Sequence, residues 1–213
     1  MNKKRLLILT WLLLLIFFIL VFLIQINNEP LKKINLSFNS FITKIQNKSF
    51  SLIAEFFSYL FDISSLFLLT LILIILFVLK GEKNFALFFL IAIGVSELSV
   101  FILKEITKIS RPANAIVFEN SFSFPSGHAV SAVVFFGLLT FFVLKKSKSK
   151  FLKKFSLIFS LFMIFLVGFS RLYLNVHWLS DVIGGFLIGA IILFGSVLAY
   201  ENLWARKDFK LLH

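Results

Sequence analysis

The sequence contains no cysteine. That excludes a disulfide framework, a thiolate metal site and a cysteine nucleophile. Charge is scarce too: only 15% of the 213 residues are Asp, Glu, Lys or Arg, against roughly 25% in a soluble domain. Disorder is excluded from the other side. A disordered chain is poor in apolar residues, and this one is 60% hydrophobic. There is no low-complexity tract and no internal repeat. What is abundant is apolar surface, with 31 Phe and a mean hydropathy of +1.01. The class that remains is an integral membrane protein. Acidic residues number 10 against 22 Lys and Arg, a net charge of +12. On a soluble chain such an excess points to nucleic acid. Here the cations sit at the ends of apolar runs, where they set orientation, so no nucleic-acid partner is expected.

The apolar runs predict an all-α, polytopic membrane protein with six transmembrane helices. They fall at about residues 6–26, 63–79, 84–104, 128–144, 155–171 and 182–200. Each is near the roughly 17–25 residues that cross a bilayer as a helix, and a helix satisfies its backbone groups within the segment. The stretch 1–213 reads as a single membrane domain. The first run follows Lys3, Lys4 and Arg5, as a signal peptide would. It is too long for a signal core and no small-x-small site follows, so it reads as an uncleaved span. Six spans put both termini on one side. Lys and Arg are richer there, above all in the six lysines of 145–154, which predicts cytoplasmic termini. Segment 27–62 then lies outside. In its first half Ile34, Phe38, Phe41, Ile42 and Ile45 recur at helical spacing, with Lys and Asn on the other face. Such a helix either lies in the outer headgroup layer or packs on the spans. Either way it could wall a path for lipid.

Three polar blocks interrupt the apolar pattern, and on this topology all three reach the outer membrane surface. The first runs from Lys104 to Arg111-Pro112. Seven residues apart, the two cations share a face if the helix continues, until Pro112 ends it. They clamp an anion, or they snorkel separately to the interface. The second is Pro125-Ser126-Gly127-His128, leading into an apolar helix. Ser126 is a candidate N-cap, Gly127 lets a ligand approach the backbone, and a helix N-terminus attracts anions. The plain alternative is a capped helix start with an interfacial His. The third is Ser170-Arg171, then His177, then Asp181. His177 and Asp181, four apart, are neighbours on one helix face. A carboxylate beside an imidazole fixes its tautomer and makes the ring a nucleophile or base. It could equally hold a loop. Glu97, inside the third span, is either part of this site or paired with a neighbouring span. A metal site built from His128, His177 and Asp181 is a further alternative, opposed by the three nearby cations.

Together these blocks resemble the signature motifs of the type 2 phosphatidic acid phosphatase family of membrane lipid phosphatases. That pattern is Lys, six residues, Arg-Pro; then Pro-Ser-Gly-His; then Ser-Arg, five residues, His, three residues, Asp. Every spacing fits between Lys104 and Asp181. The flanking Ser121-Phe122-Ser123-Phe124 and Gly184-Gly185 look like bacterial members of the phosphatidylglycerophosphatase B and undecaprenyl diphosphate phosphatase type. The resemblance implies the family's helical bundle and a metal-independent hydrolase without a cofactor. It implies that His177 is the nucleophile, forming a phosphohistidine, that Asp181 orients it, and that His128 is the general acid. Lys104, Arg111, Ser126, Gly127, Ser170 and Arg171 would bind the phosphate. Its substrate would be a lipid phosphate or diphosphate: phosphatidylglycerol phosphate, undecaprenyl diphosphate, phosphatidic acid or a lipid A phosphate. It would work in a bacterial inner membrane with its site at the outer face. The rival reading is a non-enzymatic lipid-binding or transport protein.

Overall fold

A computed structural model describes residues 2–203. Among the described residues the chain forms eight helices and no strand. They are α1 (Lys3–Gln25), α2 (Glu29–Ile45), α3 (Lys48–Leu60), α4 (Ile63–Leu79), α5 (Lys83–Thr107), α6 (Gly127–Lys146), α7 (Lys150–Tyr173) and α8 (Leu179–Leu203). Each of the six expected spans coincides with a helix, the first overrunning α1 by one residue. Five of these helices are long and apolar enough to cross a membrane, and α3 with α4 makes a sixth as a pair bent by 53°. At 20 to 25 residues and 1.5 Å per residue, the five reach or exceed the roughly 30 Å of a hydrocarbon core.

Local chemistry sets the boundaries. Asn2, Asn28, Asn47 and Ser149 each accept a hydrogen bond from a backbone N–H of the turn that follows, supplying partners that helix starts lack. Between α4 and α5, Gly81 sits at φ +78°. The Gly81 and Glu82 N–H groups bond back to Val78 and Phe77, the pattern of a glycine-terminated helix.

Segment 27–62 is two helices rather than one. Gln46 is extended and Asn47 caps a fresh start, so the amphipathic stripe ends at Ile45. The stripe itself is divided. Ile42 is buried and Phe38 packs beside it against Tyr173, Leu174 and Val176. Ile34, Phe41 and Ile45 stay exposed. The helix thus seats one half of its apolar face on the bundle and turns the other half outward.

At the centre, α6 is buried along most of its length. It packs on α7 and α8, and α1 lies against α8. A cluster of rings, among them Phe77, Phe85, Phe89, Phe135 and Phe136, fills the space between α4, α5 and α6. Outward faces carry exposed Trp11, Phe18, Phe22, Phe67, Phe101 and Phe165. Apolar exposure on this scale marks a surface made for lipid. The α6–α8 approach depends on glycine. A Cβ at Gly185 would lie 2.7 Å from both the Ser126 carbonyl oxygen and the Ala129 Cβ, and one at Gly189 would lie 2.8 Å from the Val133 Cβ. Small residues four apart let two helix backbones meet closely.

The two ends of the bundle differ in what they hold. At one end Lys3 bonds to Asn202 (2.8 Å), Lys145 pairs with Glu201 (3.4 Å) and Lys146 with Glu82 (2.5 Å). Both ends of the described chain therefore sit together. The C-terminal cations Arg206, Lys207 and Lys210 lie outside the described residues. At the opposite end the C-termini of α5 and α7 meet the N-termini of α6 and α8, bringing the three polar blocks together.

Candidate active site

Arg111 reaches the site by a different route from the one its spacing suggests. Helix α5 ends at Thr107, because Lys108 adopts a left-handed conformation (φ +51°) with its N–H on the Lys104 carbonyl. Arg111 therefore does not stack over Lys104 on a continuous helix. It enters from the loop, and its guanidinium is pinned by several acceptors. Nε donates to the Ser121 carbonyl (2.7 Å), Nη1 to the Val176 carbonyl (2.7 Å) and Nη2 to Ser121 Oγ (3.0 Å). Lys104 Nζ donates to the same Ser121 Oγ (2.8 Å). The two cations nevertheless converge, through a shared hydroxyl.

His177 lies in the turn between α7 and α8, ahead of the helix that carries Asp181, and is 3% exposed. Its Nε2 is 3.2 Å from Arg111 Nη1. A guanidinium can only donate, so Nε2 is the ring's acceptor and Nδ1 carries the proton. That N–H faces Asp181 Oδ2 and Ser123 Oγ, each at 3.4 Å. Asp181 has firmer partners: Oδ2 accepts from the Trp178 N–H (2.8 Å) and from the Ser123 hydroxyl. An acid at the third helical position reaching back to the preceding N–H is half of a capping box. Asp181 thus starts α8 and faces the ring with one carboxylate. Burial, then the charges of Arg111, Arg171 and Lys104, hold the His177 imidazole well below its ordinary pKa. Burial likewise lowers that of Arg111.

Ser126 precedes α6 at the N-cap position but forms no capping bond, and its hydroxyl is buried without a protein partner. Its N–H bonds to the Asp181 carbonyl (3.0 Å), which locks the start of α6 to the start of α8. His128 Nε2 lies 3.0 Å from the Ser58 carbonyl, so that nitrogen donates. Arg171 is 1% exposed and donates to Ser58 Oγ and to the Glu119 carboxylate. Ser170 turns away: its Oγ donates to the Val167 carbonyl in its own helix (2.7 Å). Of the nine expected site residues, Ser170 is therefore the one whose side chain is engaged elsewhere in this structure.

A cavity of about 200 Å³ lies beside these groups; of the expected residues Lys104, Arg111, Gly127, His128 and His177 line it, and Ser126, Ser170, Arg171 and Asp181 do not. Glu97 lines it as well, with Ser131 Oγ 2.6 Å from its Oε1. Glu97 thus pairs with α6 and also lines the cavity. His128, His177 and Asp181 do not form a metal cage, since among the described residues no three His, Asp or Glu side chains are grouped to hold an ion.

Several neighbours were not singled out from the sequence. Ser58 holds His128 and Arg171 from α3, and Glu119 pairs with Arg171 and with Arg111 (3.6 Å). A latch on α2 holds the His177 turn. Asn35 bonds to the Ser180 side chain and N–H (2.9 and 3.1 Å), and Asn39 to Asn175 (2.9 Å). Nearby, Gln46 donates to the Tyr173 carbonyl (2.6 Å). Asn35 and Asn39 of the amphipathic segment thus hold the turn at the site, while Lys32, Lys33 and Lys44 stay exposed.

The fold and site define a class: a polytopic helical protein with a cationic, histidine-containing cavity at one end of its bundle. The chain belongs to the PAP2 superfamily, a family of phosphoric ester hydrolases, whose pattern matches residues 85–205. It is 38% identical over 139 residues to phosphatidylglycerophosphatase B of Bacillus subtilis, covering 62% of this chain. It is 32% identical over 112 residues to the undecaprenyl-diphosphatase of Sulfolobus acidocaldarius, covering 51% of this chain. The matched stretches span 66% and 50% of those two curated relatives. Among solved structures it is similar to the transmembrane PAP2 type phosphatidylglycerolphosphate phosphatase from Bacillus subtilis. That match has a TM-score of 0.82 and 30% identity and covers 91% of this chain and 96% of that one. LpxE from Aquifex aeolicus matches with a TM-score of 0.62 and 25% identity, over 76% of this chain and 94% of that one.

Proposed function

We propose that this protein is a metal-independent membrane lipid phosphatase that removes a terminal phosphate from a lipid phosphate or diphosphate. The observation that carries this reading is His177 itself. It is a buried neutral imidazole with its Nε2 lone pair facing Arg111 at the wall of a cationic cavity. In the proposed reaction Nε2 attacks phosphorus and the bond from phosphorus to the lipid oxygen breaks. One nitrogen of His128 is held by the Ser58 carbonyl; protonated on the other, His128 hands that proton to the leaving oxygen. Water then attacks the phosphohistidine, and His128 recovers a proton from it. Asp181 and Ser123 keep the Nδ1 proton in place and stabilise the charge that develops on the ring. Lys104, Arg111 and Arg171, with Ser126 Oγ and the free N–H groups at the start of α6, surround the phosphoryl oxygens. Phosphoryl transfer is chiefly positioning and charge stabilisation, and such a cluster supplies both in a partly dehydrated site. Ser170 would contribute by its place in α7 unless its hydroxyl turns over on binding. The chain would act as one unit in a bacterial inner membrane.

The names of the relatives support two candidate substrates, phosphatidylglycerol phosphate and undecaprenyl diphosphate; the resemblance of the sequence motifs adds phosphatidic acid and lipid A phosphate. The test is phosphate release by the purified protein in EDTA on each of the four, beside His177→Ala. Release from at least one lipid, reduced at least a thousandfold in the variant, is the expected result. Loss of activity in EDTA, or turnover retained by His177→Ala, would contradict the reading.

A further inference from the structure

Glu119 is the one charged residue between Arg111 and His128. It belongs to none of the three polar blocks. Its carboxylate nevertheless sits between two guanidinium groups: Oε1 is bonded to Arg171 Nη2, and Oε2 lies 3.6 Å from Arg111 Nη2. It lines the same cavity as Lys104, His128 and His177. Two residues on, Ser121 Oγ accepts from both Lys104 (2.8 Å) and Arg111 (3.0 Å). Each of the three cations thus already faces an oxygen from this short stretch, as it would face the oxygens of a phosphoryl group.

We infer that Glu119 is a specificity-determining residue, a tethered anion that occupies Arg111 and Arg171 until a phosphomonoester dianion displaces it. This rests on the lipid phosphatase reading. The physical argument has three parts. Arg171 is 1% exposed, and a buried cation without a partner is strongly unfavourable; Glu119 gives it one when no substrate is bound. The site also lies among bilayer lipids whose phosphodiesters each carry one negative charge, as Glu119 does. Exchanging one monoanion for another gains little, and a tethered competitor acts at an effective concentration on the order of millimolar. A terminal phosphomonoester carries close to two charges above its second pKa of about 6. In a site of low dielectric the second charge counts for more than in water. Glu119 thereby sets a threshold that terminal phosphates pass and bulk lipids do not.

The test uses the full chain purified in detergent, as wild type, Glu119→Gln and Glu119→Asp. Binding of inorganic phosphate is measured by calorimetry, and turnover is measured with increasing mole fractions of phosphatidylglycerol. If Glu119 holds the arginines nine-tenths of the time, its removal tightens phosphate binding about tenfold. The Gln variant should show that gain and become sensitive to competition by phosphatidylglycerol, with Asp in between. Phosphate should also raise its melting temperature more than that of the wild type, a readout that still works if the variant is less stable. A Gln variant that binds phosphate no more tightly than the wild type, or more weakly, would overturn the inference and make Glu119 a fixed prop for the arginines. Tighter phosphate without new sensitivity to phosphatidylglycerol would overturn the specificity. A wild type that releases phosphate from none of the four lipids would instead bring down the phosphatase reading.

Discussion

His177 combines burial with a surplus of positive charge, and both favour its neutral form. An unfolded histidine takes up a proton near pH 6.5, whereas the folded ring resists protonation to well below that value. The stability this residue contributes is therefore complete above about pH 6.5. It is lost as pH falls from there through the folded pKa, where the unfolded chain binds more protons. The same shift would keep the proposed nucleophile available in mild acid. The acid limb of kcat/KM is expected below pH 6.5, and a limb above pH 7 would contradict the assignment. Arg111 is the leading charge in this shift, after burial. Arg111→Ala should move the His177 ring titration upward by NMR, independently of any loss of activity. The polar blocks were legible because each chemical role demands one residue type at one spacing. Ser58 was not, because it arrives by tertiary packing from α3, with no pattern linking it to His128 or Arg171. Glu119 had left a trace as the lone charge between two motifs, but nothing in its spacing said that it turns inward.

Among the elements, the α6–α8 contact carries the site. Ser126 opens one helix, Asp181 the first turn of the other, and the Ser126 N–H on the Asp181 carbonyl joins them. Gly185 stands directly beneath that joint. Gly185→Ala is expected to force the helices apart at a cost of about 1–3 kcal/mol, typical of overpacking, lowering the melting temperature and phosphate release together. Normal activity in that variant would show that the joint tolerates a methyl group. The α2 latch is the second device. Asn39→Ala removes a bond worth about 1 kcal/mol from the turn that presents His177, and phosphate release should fall several-fold with little change in melting temperature. The spans were readable from hydropathy alone, since lipid imposes long apolar runs. The break at Gln46 and the early end of α5 were not. Both turn on a single backbone conformation, extended at Gln46 and left-handed at Lys108, that hydropathy does not encode.

For the molecule as a whole, sidedness follows from the fold and orientation from charge. Lys3, Glu82, Lys146 and Asn202 share the end of the bundle opposite His177, and the positive-inside rule, applied to the lysine-rich stretch 145–154, predicts a cytoplasmic location for that end. The absence of cysteine makes this directly testable. Asn114→Cys, near the site, should react with a membrane-impermeant maleimide in intact cells, and Lys148→Cys only after permeabilisation; the reverse pattern would invert the topology. That orientation would present the cationic cavity to lipids of the outer leaflet. The most direct measurement is of the proposed covalent step. Protein mixed with lipid labelled in its terminal phosphate should be quenched in alkali and digested, and the labelled peptide sequenced. Label that is stable to base, labile to acid and confined to the peptide holding His177 is the predicted result. Label on another residue, or an acid-stable phosphoester on a serine, would contradict it.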